Sequence, residues 1–201
     1  QQSIAQVRQA VAPQFDLLPS SQALTLAEVR LTKYDQRERL LREALFAVSD
    51  DYDYILIDCP PALNILTVNA LVAAHSVLIP VQCEYYALEG LASLLNSIRR
   101  LRASANPALD IEGVLRTMYD GRNLLTQDVS HKLEQHFKTK LYQTVIPRNV
   151  RLAEAPSHGK AALHYDKSSQ GAIAYLALAA ELLRKQKGCD ASSMQATAVG
   201  E

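Results

Sequence analysis

Cysteine is scarce in this chain: only Cys59, Cys83 and Cys189 occur, and no two form a C-x-x-C pair. An odd, sparse set excludes a disulfide framework and the thiolate clusters of zinc or iron–sulfur centres. Cys59 and Cys83 follow apolar runs and are expected to be buried, reduced thiols, which fits a cytoplasmic setting. Long hydrophobic runs are also missing. None approaches the roughly 18 residues that a membrane span needs, and no secretory signal opens the sequence. Net charge is absent, with 21 basic residues against 21 acidic ones. No global field favours nucleic acid or an acidic partner, so any such binding needs a local patch. Finally, the seven glycines (90, 113, 121, 159, 171, 188 and 200) begin no G-x-x-x-x-G-K-[ST] loop. The Gly159-Lys160 pair has no upstream glycine and is followed by Ala161. These residues therefore hold no loop whose backbone N–H groups would cradle phosphates.

What is present is a steady alternation of apolar strand-like runs and amphipathic helical ones. SIAQVRQAV is helix-like, FDLLPSS reads as a short strand entering a turn, and Leu24 to Leu31 is weakly helical. DQRERLLREALFAV, from Asp35 to Val48, predicts an amphipathic helix with Leu40, Leu41, Leu45 and Phe46 as its buried stripe. Strands are expected over Tyr54–Ile57, Ser76–Val81, Ile111–Met118 and the LYQTVIP run that Pro147 stops. Helices are expected over Ala62–Ala74, Ala87–Ser104, Leu125–Phe137 and Asn149–Glu154. The last helix, Ser169–Lys185, carries an apolar stripe of Ile173, Leu176, Leu182 and Leu183. Nearly wholly apolar strands between helices signal an α/β fold with a mostly parallel, doubly wound sheet. Residues 1–187 form one domain in this reading. The small, polar residues 188–201 lack a core and read as a disordered tail.

DYDYILIDCPP, residues 51–61, concentrates the chemistry. Asp58 ends an apolar, β-favouring run, and Pro60 and Pro61 prevent a central strand from continuing. A carboxylate at the carboxyl end of a buried parallel strand sits where open α/β sheets bind ligands. Taken alone, the same pattern also fits a turn aspartate or a helix N-cap.

YDYILIDCPPALNILTVNALVAAHSVLIPVQCEYYALEGL resembles the Walker B and following segments of the ParA/Soj partition ATPases, within the MinD/ParA group of deviant P-loop proteins. GVLRTMYDGRNLL and KLYQTVIPRNVRLAEAPSHGK are similar to the next two blocks of that family. The resemblance runs in order from about Phe15 to about Lys185. It implies the fold of the P-loop NTPases without the N-terminal P-loop strand. Asp58 then corresponds to the Walker B aspartate, holding a water on Mg²⁺ beside the phosphates of ATP, and is the one catalytic candidate. Mg²⁺ suits such a site because it takes one or two carboxylates and keeps several waters. Pro60 and Pro61 match a rigid switch segment that reports the γ-phosphate. Met118, Pro147 and Asn149 match blocks that line the adenine pocket. Arg122 and Arg151 match DNA-binding positions.

The local charge around Arg151 agrees with DNA contact. From Lys138 to Lys160 stand Lys138, Lys140, Arg148, Arg151 and Lys160 against Glu154. Such a face grips phosphates without reading bases. The resemblance implies a homodimeric ATPase that binds non-specific DNA on the nucleoid and answers a centromere-binding ParB-type partner, with no membrane contact. A chain that opens on Gln1 and holds no phosphate loop is expected to be an N-terminally shortened form of a longer ATPase, with little hydrolysis of its own. The alternatives are a non-catalytic DNA-binding or dimerisation module, a MinD-like membrane ATPase, and an iron–sulfur carrier. The MinD-like reading wants a C-terminal amphipathic helix that the tail does not offer. The absence of any C-x-x-C pair argues against the iron–sulfur carrier.

Overall fold

The computed structural model describes residues 2–197, with side chains described up to residue 187 except at Thr25. The chain divides into two compact units, Gln1–Val77 with Leu95–Asp110 and Leu78–Leu94 with Ile111–Glu201.

The first unit begins with a short helix, α1 (Ile4–Val7), and an antiparallel pair, β1 (Gln9–Ala12) and β2 (Phe15–Leu17). Then follow α2 (Ala23–Leu31), α3 (Leu40–Phe46) and α4 (Ile65–Ala73). The amphipathic run expected from Asp35 is broken. A 3₁₀ turn covers Arg37–Arg39, the α-helix starts only at Leu40, and Phe46 ends it 83% exposed rather than in the stripe. α4 is the apolar centre of this unit. Asn64 caps its N-terminus by accepting the Thr67 N–H, the usual service of Asn at that position. Its buried Asn69 accepts the Leu41 N–H and donates to the carbonyls of Arg37 and Ile65, tying α3 and the 3₁₀ turn to α4. At the other end Asn106 donates to the carbonyls of Leu71, Val72 and Ala74, which satisfies a buried helix terminus. Val72, Ile98 and Leu109 are fully buried here.

Tyr54–Ile57, expected as a strand, runs without regular structure, and Leu56 is 89% exposed. A strand exists only through the ladder it shares with a neighbour, and neither sheet of the described residues includes this segment. Cys59, expected to be buried, is exposed for the same reason, whereas Cys83 is buried as expected.

The second unit is built on a sheet of order β3-β4-β5: β3 (Ser76–Gln82, whose first two residues belong to the first unit), β4 (Asp110–Tyr119) and β5 (Leu141–Pro147). Between them run α5 (Ala87–Ser104, of which residues 95–104 belong to the first unit) and α6 (Leu124–Phe137), and after β5 come α7 (Val150–Glu154), α8 (Ala162–Tyr165) and the long α9 (Gln170–Thr197). β4 and β5 are parallel, as the apolar runs predict. Leu115, Tyr142 and Ile146 form a core against Leu78, Leu152, Ala174, Leu178 and Leu182.

Two corrections concern α9. Its buried face holds Glu181 and the half-buried Ala174, Leu178 and Leu182, while Ile173, Leu176 and Leu183 of the expected stripe are exposed. Residues 174, 178, 181, 182 and 185 share one face at the helical period, and a buried carboxylate stands in it where an apolar side chain was expected. The tail expected from 188 onward lies outside the residues described with side chains.

Candidate functional site at the carboxyl edge of the sheet

The pairing of β4 with β5 is irregular, and the irregularity organises this edge. Val114 pairs with Leu141, Arg116 with Val145 and Tyr119 with Pro147, so the register shifts twice. The extra residues of β5 leave backbone groups without ladder partners, which buried chains must satisfy elsewhere. Arg116, buried between β4 and α6, donates to the carbonyls of Tyr142 (3.0 Å) and Gln143 (3.3 Å). Its other terminal nitrogen reaches Ser130 Oγ at 2.8 Å and Glu134 at 2.7 Å. From the other side Glu181 of α9 accepts the N–H groups of Gln143 and Thr144, both at 2.8 Å. Burial pushes the Glu181 carboxyl up, but the hydrogen bonds from Thr144 and Gln143 outweigh it and hold the group below the usual range. Neither Arg116 nor Glu181 stands out in the sequence as a candidate; the only cue is a charged residue inside an otherwise apolar periodic run.

The second shift coincides with Met118, which takes a left-handed backbone (φ 51°) unusual for a residue with a side chain. Its side chain is 41% exposed, so it is not a core methionine. Because β4 and β5 run in the same direction with Tyr119 opposite Pro147, their outgoing loops lie side by side. The Arg148 N–H donates to the Tyr119 carbonyl at 3.1 Å and joins the two loops. Met118, Arg122, Pro147, Asn149 and Arg151 therefore gather at one end of the sheet. Asp58 and Pro60, both exposed, belong to the first unit.

Each gathered residue has a local partner. Asn149 is the N-cap of α7, its side chain accepting the N–H groups of Arg151 and Leu152. Arg122 folds back on Asp120 in a bidentate pair, Nε to Oδ1 at 3.0 Å and a terminal nitrogen to Oδ2 at 2.9 Å. That contact holds the Asp120 carboxyl at about 2, through the hydrogen bonds of Arg122 first and its charge after. Arg122 is nevertheless 91% exposed. Arg151 sits between two carboxylates, Glu154 at 2.9 Å and Asp166 at 3.5 Å. The Tyr165 hydroxyl also donates to Glu154 and stacks its ring on His158. The basic stretch is less continuous than it reads. Lys138 and Lys140 precede β5, and Arg148, Arg151 and Lys160 follow it. A seven-residue strand of about 20 Å separates the two groups.

The nucleotide side is thinner. Among the described residues no group of three or more His, Cys, Asp or Glu side chains stands ready for a metal ion. Asp58 offers Mg²⁺ one carboxylate, and the sequence holds no G-x-x-x-x-G-K-[ST] phosphate loop, so the residues present do not fit a complete ATP–Mg²⁺ site. Among the described residues no helix is long and apolar enough to cross a membrane.

A parallel sheet covered by helices, with loops gathered at its carboxyl edge, is the layout of a nucleotide-binding α/β protein. The family model described as AAA domain matches residues 1–111. Soj, the sporulation initiation inhibitor protein of Bacillus subtilis, is 51% identical over 176 residues, covering 88% of this chain and 70% of Soj. The chromosome partitioning protein ParA of Caulobacter vibrioides is 48% identical over 177 residues, 87% of this chain and 66% of ParA. An uncharacterized protein of Pseudomonas putida is 61% identical over 173 residues, 86% of this chain and 66% of its own length. Among solved structures, cobyrinic acid a,c-diamide synthase from Mycobacterium smegmatis, crystallised with an ATP analog and magnesium, superposes with a TM-score of 0.75 at 34% identity. It covers 91% of this chain and 68% of the synthase. A plasmid partition protein from Borrelia burgdorferi superposes over 69% of this chain and 56% of its own at a TM-score of 0.59 and 29% identity. The chain belongs to the ParA/Soj family of partitioning ATPases. It spans about two thirds of the length of the curated relatives it matches.

Proposed function

We propose that this chain serves DNA segregation as a ParA-type ATPase does. In this reading an ATP-dependent homodimer holds non-specific DNA in the nucleoid through the carboxyl edge of the sheet. A centromere-binding ParB-type protein then triggers hydrolysis and release. The observation that carries the DNA step is the convergence of Arg122 and Arg151, far apart in sequence, on adjacent loops bridged by the Arg148–Tyr119 hydrogen bond. Asp58 is the residue assigned to Mg²⁺ through water, and Pro60 to the γ-phosphate switch. The exposed, left-handed Met118 beside Pro147 and Asn149 suits a ligand contact, since strained backbone gathers at such sites.

The DNA claim is tested by titrating a random-sequence duplex at low salt. Arg122→Ala and Arg151→Ala each weaken binding, and each flattens the dependence of log K on log salt by about one unit, as loss of a phosphate contact does. Binding equal to wild type in both variants refutes the DNA step. A second reading is a non-catalytic DNA-binding module. Salt-sensitive DNA binding with no Mg²⁺-dependent ATP hydrolysis by this chain would select it.

A further inference from the structure

The last helix carries apolar residues on two opposite faces. Ala174, Leu178 and Leu182 pack on the core of the sheet, while Ile173, Leu176 and Leu183 face solvent at 49%, 52% and 44% exposure. With the exposed Ala180 the outer residues stand at 173, 176, 180 and 183. Steps of three, four and three residues are the a/d spacing of a coiled-coil seam, a narrower stripe than a helix uses to pack on a core. Ala177 and Ala179, also exposed, flank the seam, so it has neither charge nor a bulky shoulder. Charge resumes on this face only past Leu183, at the exposed Arg184 and Lys187.

We propose that this seam pairs two copies of the chain through α9, antiparallel and without nucleotide. The occupant follows from the spacing. Steps of three, four and three read the same from either end, so the seam turned end for end meets itself about a two-fold axis. Ile173 of one copy then packs on Leu183 of the other, and Leu176 on Ala180, giving four layers in which alanine never meets alanine. Antiparallel order also separates the cations. Arg184 and Lys187 of the two copies lie at opposite ends of the seam, whereas parallel order would set each beside its twin. The outer face from 173 to 187, about four turns, buries on the order of 1,000 Å² over both copies, the lower limit of a specific interface. The pair is therefore weak, with Kd on the order of tens of micromolar. It rests on neither the DNA step nor the ATP-dependent dimer proposed above.

Sedimentation equilibrium of the nucleotide-free 201-residue chain tests this, in a Leu56→Lys background that disarms the exposed Tyr54–Ile57 segment. A monomer–dimer equilibrium is expected. Leu176→Lys and Leu183→Lys each weaken it about tenfold or more, because each removes two leucines from the pair. Leu124→Lys, at an exposed apolar site on α6, leaves it within about twofold. Cross-linking reads the direction. In a Cys59→Ser, Cys189→Ser background, Ile173→Cys and Leu183→Cys chains are mixed under mild oxidation, and the mixed disulfide dimer exceeds either homodimer. A chain that stays monomeric at about ten times the expected Kd overturns the proposal. So does a dimer that survives both lysine variants on α9, one that falls equally with Leu124→Lys, or an excess of homodimeric disulfides.

Discussion

Glu181 shows how a single side chain can repair a strand. Its two oxygens take the N–H groups of Gln143 and Thr144, and Arg116 takes the carbonyls of Tyr142 and Gln143. The shifted register of β5 is thereby satisfied from both faces of the sheet. Lys185, one turn further along α9, lies 3.9 Å from the Tyr142 ring centroid and donates to the Thr139 carbonyl. Because the Glu181 carboxyl is held below its ordinary pKa, the unfolded chain binds its proton more tightly than the folded one. Its contribution is therefore full above about pH 4.3, the unfolded value, and is lost as pH falls through the lowered folded value. Urea midpoints measured from pH 7 down to pH 3 should fall more steeply in wild type than in Glu181→Gln, and Glu181→Gln should already be less stable at pH 7. Parallel curves would show that the carboxylate has no such role. The sequence shows a glutamate in the last helix, but not that the helix is phased to bury it, since Ile173, Leu176 and Leu183 compete for the inward face and lose.

At the scale of elements, the placement of α7 depends on Gly171. A Cβ at that position would lie 2.4 Å from Leu152 Cγ and under 3 Å from both of its methyl groups. Leu152 follows Arg151 on α7, so the contact between α7 and α9 sets where the arginine stands. Gly171→Ala should cost about 1–2 kcal/mol by urea denaturation, overpacking being offset in part by the better helix propensity of alanine. It should also weaken DNA binding by shifting α7. Unchanged stability would mean that Leu152 has room to turn aside. The helices α4, α5, α6 and α9 and the strands β3, β4 and β5 are legible in the sequence because their apolar periods are strong and their ends carry clear stops, such as Asn64, Asn123 and Pro147. The break before α3 is not legible, because the apolar pattern continues through the 3₁₀ turn at Arg37–Arg39.

At the scale of the whole molecule, the segment Tyr54–Ile57 has the composition of a buried strand and the exposure of a surface loop. An exposed apolar, β-favouring stretch, with Ile55 and Leu56 facing solvent, is prone to pair with other chains. Light scattering should therefore show concentration-dependent association of the wild-type chain, reduced in Leu56→Lys, with the far-ultraviolet circular dichroism unchanged. Equal scattering by both proteins would place the association elsewhere.

The sequence by itself determined the α/β class, the parallel strands, the family and the identity of the residues at the candidate site. Each of these follows from local apolar period, turn chemistry and blocks of residues read in order. Only the tertiary structure decided how those residues are deployed. Parallel pairing of β4 with β5 brought the loops of Arg122 and Arg151 together, and the same strand sent Lys138 and Lys140 to its opposite end. Chain folding also gave Arg122 and Arg151 their carboxylate partners. The physical reason is that a charge is read from one residue, whereas its availability depends on every group that packs within reach of it.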